Sequence, residues 1–392
     1  MTIRLFHPLP LLFLLLWGTG CAEKPRSVGG SLIDPNDLFT VADTTVTAVS
    51  DSSYTVPLLA GNGVELLTGR ASAADEFVTL IRFNDVSYVD SLIGATIDTA
   101  QLRLYVTSYA DRGALPVRLG VYEALQGWKE TTFTNDSIGA FAVGAVPFGV
   151  FSDSANAGSD LQTLLDTAAV RRMVTAMTDT NAMPFHGFAV RAEPGGMPGT
   201  FGIYSFNAGT SVMPRLLVKY TKNGVRDSLI LYTGEDTYGA RFTVPPVLAP
   251  FEVRGGYGVR SSLRFDLSWL KDRPIVAGAT LTLVADTAAS RRSIFSPDSV
   301  VALLGLSGAS ADASDSSVFV IGTAAYDSAV GKTYVFSLRE ITQRWVNGIY
   351  VNEGLRLRPS YETSYADRIV FHPADHPVAA KRPKLHIIYS SK

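Results

Sequence analysis

The side chains with the richest chemistry lie near the C-terminal end, in His372-Pro-Ala-Asp-His376. Two histidines four apart share a helix face at the spacing zinc sites use, and Asp375 adds an oxygen donor. Pro373 and Pro377 oppose a helix there, and no third ligand stands at a fixed distance. The segment reads as a solvated loop, and no metal is expected. His386, in a closing strand, reads as a packed or surface imidazole. Hydrolytic chemistry finds no better footing: the nucleophile elbow Gly-x-Ser-x-Gly is absent. Glycoside hydrolysis needs only two carboxyl groups at a set separation. The strand-borne acids Glu130 and Asp266 are the candidates for it, and both read as structural or exposed. No Gly-x-Gly-x-x-Gly phosphate loop or Asp-x-Asp-x-Asp-Gly calcium loop occurs. The expectation is therefore a non-enzyme with no catalytic residue and no cofactor. Aromatic side chains remain, and these stack on the apolar C–H faces of pyranose rings. Candidates are Trp128, Tyr105, Tyr109, Tyr122 and the pair Tyr361 and Tyr365, which share a loop with Glu362 and Asp367. Trp128, Tyr361 and Tyr365 are the chosen ligand-binding residues. The rival reading makes Trp128 and Trp345 core or lid residues.

Composition bounds the class. A net charge of -2 with 18% charged residues leaves no basic footprint for nucleic acid. The 34 glycines and 20 prolines, with few helix-forming runs, indicate a β-rich chain with many turns. A 46% hydrophobic fraction over 392 residues suffices for two cores. One cysteine, Cys21, excludes an internal disulfide.

The position of Cys21 suggests its use. Arg4 is followed by an apolar run, Leu9 to Trp17, too short for a mature span, and then by Gly18-Thr-Gly-Cys21. This resembles a bacterial lipoprotein signal, in which Cys21 is lipidated and becomes the first mature residue. Gly18 stands where that family prefers leucine, and Pro8 and Pro10 are unusual so near the apolar run. The rival is an ordinary secretory signal with an incidental cysteine. The resemblance implies a membrane anchor through Cys21 at the outer membrane or cell surface. Ala22-Glu-Lys24 carries no aspartate that argues for inner-membrane retention. Val28 to Ala48 is also similar to the start of surface lipoproteins of Gram-negative bacteria.

The elements behind the candidates read mostly as strands. Ala100-Gln-Leu-Arg-Leu-Tyr-Val106 alternates, with Leu102, Leu104 and Val106 inward and Gln101, Arg103 and Tyr105 outward. The plan recurs. Ser262-Leu-Arg-Phe-Asp266 matches Leu80-Ile-Arg-Phe-Asn84, and Ala279 to Ala285 matches Ala100 to Val106. Each half then has an amphipathic helix, one marked by Val170, Met173, Val174 and Met177, the other by Leu338, Ile341 and Trp345. Asp166 or Thr167 would cap the first and Ser337 the second. A strand follows each helix, and Pro214-Arg-Leu-Leu-Val-Lys-Tyr220 or Pro383-Lys-Leu-His-Ile-Ile-Tyr389 closes the half. The expected division is a signal at 1–21, a tether at 22–34 and domains at 35–221 and 222–392. Thr221-Lys-Asn-Gly-Val-Arg226 serves as a short linker. Ser307 to Ser317 reads as a mobile low-complexity loop.

Together these residues resemble DNRLRE-type modules, a β-sandwich family related to carbohydrate-binding modules. Arg82-Phe-Asn84, Arg264-Phe-Asp266, Trp128-Lys-Glu130 with Thr132 and Thr134, and Trp345 carry the likeness. It covers roughly residues 75–221 and 260–392. The second half lacks a Trp-x-Glu stretch and the first helix lacks tryptophan. The resemblance implies an all-β chain of two tandem antiparallel, jelly-roll-like β-sandwiches, each with one short helix. The expected role is non-catalytic: binding polysaccharide or another surface component. The alternative is a structural or accessory subunit of a surface protein assembly.

Overall fold

A computed structural model describes residues 40–72, 75–110, 117–153, 157–196, 198–242, 247–270, 274–308 and 310–391. Cys21 and the 22–34 tether lie outside the described residues.

The chain is all-β, and its strands form two successive series. The first comprises β1 (Thr40–Thr47), β2 (Ser50–Thr55), β3 (Glu65–Arg70), β4 (Asp75–Arg82), β5 (Thr96–Ala110) and β6 (Val117–Glu123). It continues through β7 (Gly149–Asp153), β8 (Asp160–Leu165), β9 (Phe188–Ala192), β10 (Gly199–Tyr204) and β11 (Arg215–Lys222). The second comprises β12 (Val225–Tyr232), β13 (Glu235–Phe242), β14 (Glu252–Arg254), β15 (Val259–Arg264), β16 (Val276–Val284) and β17 (Ser299–Gly305). It ends with β18 (Ser314–Asp327), β19 (Gly331–Ser337), β20 (Leu355–Pro359), β21 (Arg368–Val370) and β22 (Lys384–Ser391). Helix α1 (Thr167–Thr178) precedes β9, and α2 (Arg339–Val346) precedes β20.

Pairing roles repeat between the series. Strand β5 lies between β11 and β8, as β16 lies between β22 and β19. Strand β3 joins β4 to β10, as β14 joins β15 to β21. Strand β6 joins β7 to β9, as β17 joins β18 to β20. The result is two antiparallel β-sandwiches of 11 strands each. Inward residues follow the pleat: Leu102, Leu104 and Val106 are buried while Gln101, Arg103 and Tyr105 are half-exposed.

The sandwiches do not divide at residue 221. Strand β1 pairs with β22 along its whole length and β2 pairs with β15, so the N-terminal arm belongs to the second sandwich. Strands β12 and β13 pair with β11 and β4, so the first sandwich runs on to Phe242. The expected linker is a hairpin. Asn223 and Gly224 take φ of 52° and 78°, and Lys222 faces Val225 across the turn. Both positions of this two-residue turn favour positive φ, which Asn-Gly supplies, so the chain folds straight back onto β11.

Local corrections follow from the same packing. Asp166 caps α1, accepting from Ala168 N at 2.8 Å. Ser337 ends β19 instead of capping α2; Leu338 takes the cap position and supplies no side-chain bond. Glu130 lies in a turn and Asp266 lies just beyond β15, so neither acid is strand-borne. The loop expected to be mobile is pinned: Tyr54 and Arg260 both bond the Asp312 carboxylate, at 2.9 and 2.5 Å, and Leu306 N reaches Ala313 O at 2.9 Å.

Candidate functional site

Tyr361 and Tyr365 lie in the loop between β20 and β21, and the loop is rigidly held. The Glu362 carboxylate takes a two-pronged pair from Arg260 on β15, at 2.9 and 2.6 Å. Asp367 accepts from Ser293 N at 2.7 Å and pairs with Arg292. Gly256 N bonds Glu362 O at 2.6 Å, and Tyr238 Oη, from the first sandwich, donates to Thr363 O at 2.7 Å. The two acids that accompany the tyrosines in sequence are thus the pins of the loop. Tyr361 is 53% exposed, and its ring stands at 85° to that of Tyr365, 6.1 Å away.

The loop faces a row of side chains on the first sandwich. Glu65 on β3 is opposite Tyr204 on β10, and the Tyr204 ring lies 5.5 Å from that of Tyr105 on β5. Opposed residues of an antiparallel ladder project to one face, so the strands align Glu65, Tyr204 and Tyr105. Burial pushes the Glu65 carboxyl up to about 7. Burial also pushes the Tyr365 hydroxyl up to about 12, helped by the Glu65 and Asp367 charges nearby. The Thr107 hydroxyl lies close enough to Glu65 to hold the rise of its carboxyl down, yet neither Glu65 Oε2 nor Thr107 Oγ1 makes a well-aligned hydrogen bond among the described residues. Gly202 on β10 makes room for Thr107: a Cβ there would come within 2.6 Å of its hydroxyl. Glu65 and Tyr204 escaped the sequence reading. Their one available signal was strand alternation, which places a residue on a face without saying what meets it there.

Trp128 is elsewhere and differently used. It is 5% exposed and donates from Nε1 to His186 O at 2.8 Å. The Arg82 guanidinium sits 4.7 Å over its ring, held by Trp128 O and the Glu235 carboxylate. The indole packs with Val78, Leu80, Phe133 and Phe141 in a small core that roofs the outer face of β4, β9 and β6. A cleft of about 560 Å³ lies beside it, lined by Arg82, Lys129, Glu130, Thr131, Thr132 and Glu235. Burial raises the Glu130 carboxyl, and buried Asp236 is pushed up to about 7. Asp236 Oδ2 accepts from Phe206 N at 2.6 Å, while Oδ1 has no partner among the described residues.

The remaining candidates are structural. Trp345 is 7% exposed, at the base of a cleft of about 650 Å³ whose wall includes Arg264, Asp266 and Asn352. Tyr122 is buried beneath Arg191 and donates to Glu193 at 2.5 Å. Tyr109 O accepts from Ile294 N of the second sandwich at 2.9 Å. The His372 and His376 rings lie 4.4 Å apart in a turn, and the described residues contain no group of three side chains fit to hold a metal ion. His386 is on the outward face of β22, 3.1 Å from Asp43. No helix among the described residues is long and apolar enough to cross a membrane. No family model matches the chain, and no curated protein matches it.

Proposed function

We propose that this is a non-catalytic, lipid-anchored cell-envelope protein that binds glycan at the seam between its sandwiches. The observation that carries the reading is that Tyr365, with exposed Tyr361 beside it, lies near Glu65 and Tyr204, whose ring packs on Tyr105. A sugar ring has two kinds of surface, an apolar C–H face and a rim of hydroxyls. Tyrosine rings match the first; Glu65 Oε2 and Thr107 Oγ1, neighbours that make no well-aligned hydrogen bond, match the second, because a buried polar atom that is poorly satisfied gains from a ligand hydroxyl. Both sandwiches contribute side chains, so the intact chain is the binding unit. The anchor is Cys21, on its resemblance to a lipoprotein signal.

The test is a polysaccharide pull-down with the whole chain. Tyr361→Ala and Glu65→Gln are expected to lose binding while the far-ultraviolet spectrum stays near wild type and the unfolding midpoint does not fall. Absence of binding across plant, algal and bacterial polysaccharides would rule the reading out.

One observation favours the alternative, a subunit of a surface protein assembly. Phe319, Ile321 and Val335 project outward from β18 and β19, 53%, 52% and 36% exposed. Phe319 is opposite buried Leu303 and Ile321 is opposite buried Val301, so the two exposed side chains lie over an apolar underlayer. The matching face of the first sandwich is roofed by Trp128, Phe133 and Phe141. Crosslinking on intact cells with a probe at position 319 separates the readings: a captured protein, lost on Phe319→Asp, supports assembly.

A further inference from the structure

We propose that the paired edges of β22 and β15 form a strand-docking site, and that residues 40–55 of a second copy of this chain occupy it in an exchanged dimer. The proposal is independent of the glycan reading. Each strand series opens with a two-stranded arm. Strands β1 and β2 precede β3 to β11, yet they complete the sandwich built by β14 to β22. Strands β12 and β13 precede β14 to β22, yet they complete the sandwich built by β3 to β11. The acceptors correspond: β11 and β22 are the closing strands, and β4 and β15 are the Arg-Phe strands. The arms end alike too, in Tyr54-Thr-Val-Pro57 and Phe242-Thr-Val-Pro245. Each series thus lends its opening arm to the other. Exchange is already the rule within one chain, and the arm reaches its acceptor through a connecting segment, not through continuous sandwich structure.

The two arms are held unequally. Strand β13 is core, with Asp236, Thr237, Tyr238 and Ala240 buried. The N-terminal arm is a surface strap. Between Thr40 and Thr55 only Ala48 is buried, and Val41 and Val49 are 74% and 59% exposed. Its retention rests on the backbone ladder and on polar contacts: Asp43 with His386 at 3.1 Å, Ser52 with Ser262 at 2.8 Å, Tyr54 with Asp312 at 2.9 Å. Its departure uncovers Ala48 and the core surface under Val46 and leaves the rest of the apolar core in place. Its departure bares two strand edges at once, and rows of unpaired N–H and C=O groups demand another strand. The arm of a second copy carries the same register and the same side chains, so every bond lost is remade; this is the low-cost route to a dimer by exchange.

The experiment uses the full chain with Cys21→Ser, which leaves no other thiol, in two differently tagged forms. They are mixed, warmed to just below the unfolding midpoint, returned, and captured through one tag. Co-capture of the other tag is expected only after warming. A Thr45→Cys, His386→Cys pair, opposed in the β1–β22 register, provides the control. Oxidised before mixing, it locks the arm at home and co-capture should be lost; oxidised after mixing, it should yield disulfide-linked dimers. Absence of co-capture in the unlocked protein, or co-capture undiminished by the lock, overturns the proposal. If the double variant fails to fold, a fluorescent peptide of residues 38–57 replaces it: incorporation into the warmed Cys21→Ser chain supports the docking site, and none refutes it.

Discussion

Glu65 and Tyr204 face each other across β3 and β10, and Glu65 Oε2 makes no well-aligned hydrogen bond among the described residues. A carboxyl on a strand face ordinarily reaches water. Here the tyrosines beside it exclude water and leave the group half-desolvated, ready for a ligand hydroxyl.

Two carboxyl groups raised by burial make stability depend on pH. The folded-state value of Glu65 is raised to about 7 from 4.5, so between these values the folded protein binds more protons than the unfolded chain. Stability therefore falls as pH rises through that window. Asp236 acts in the same direction between 3.8 and about 7. Glu65→Gln and Asp236→Asn should each flatten the decline, measured as the urea midpoint at pH 4.5 and pH 8. A steeper decline in either variant would contradict the assignment.

Trp128→Ala should cost about 3–5 kcal/mol, the range for removing a large aromatic side chain from a core. The loss should appear as a lowered denaturant midpoint. Molecules that remain folded should keep polysaccharide binding, because the indole faces are already covered by Arg82 and the local core. Selective loss of binding with unchanged stability would return Trp128 to the ligand site.

Gly202→Ala tests the packing under the site. The added methyl meets Thr107 Oγ1 at 2.6 Å and the Ser108 hydroxyl on the same neighbouring strand, so both hydroxyls must give way. Overpacking of this kind costs about 1–3 kcal/mol. Thermal unfolding should report the loss, and polysaccharide affinity should fall as Thr107 turns away from Glu65.

Fragments should behave unequally. Residues 57–242 contain every strand of the first sandwich and should fold cooperatively. Residues 222–392 lack β1 and β2, and so should be unstable or self-associating, with β22 and β15 unpaired on one side. Circular dichroism melts and light scattering of the two fragments decide it. A monomeric, cooperatively melting 222–392 would remove the need for the arm.

Much of this protein is determined locally and is legible in its residues. The alternation of Leu102, Leu104 and Val106 sets an inward face, and its recurrence at Leu281 and Leu283 shows that the plan is used twice. The apolar spacing of Val170, Met173 and Val174 sets a helix, and Asp166 starts it. Those signals depend on neighbours along the chain. What the chain does with open strand edges depends on partners far away, and alternation carries no information about them. Nothing in the polar sequence of β1 distinguishes β22 from β11 as its partner, and Asn223-Gly224 between two strands serves as linker or hairpin with equal ease. The candidate site follows the same division. Tyr361 and Tyr365 are visible as an aromatic pair, whereas Glu65, Tyr204 and Tyr105 come from three strands and meet only after β10 inserts between β3 and β5. Glu362 and Asp367, placed beside the tyrosines by sequence, are consumed by Arg260, Ser293 and Arg292. Strand pairing over long separations, with the burial it imposes, decided which tyrosines face one another and which carboxyl groups were left poorly satisfied.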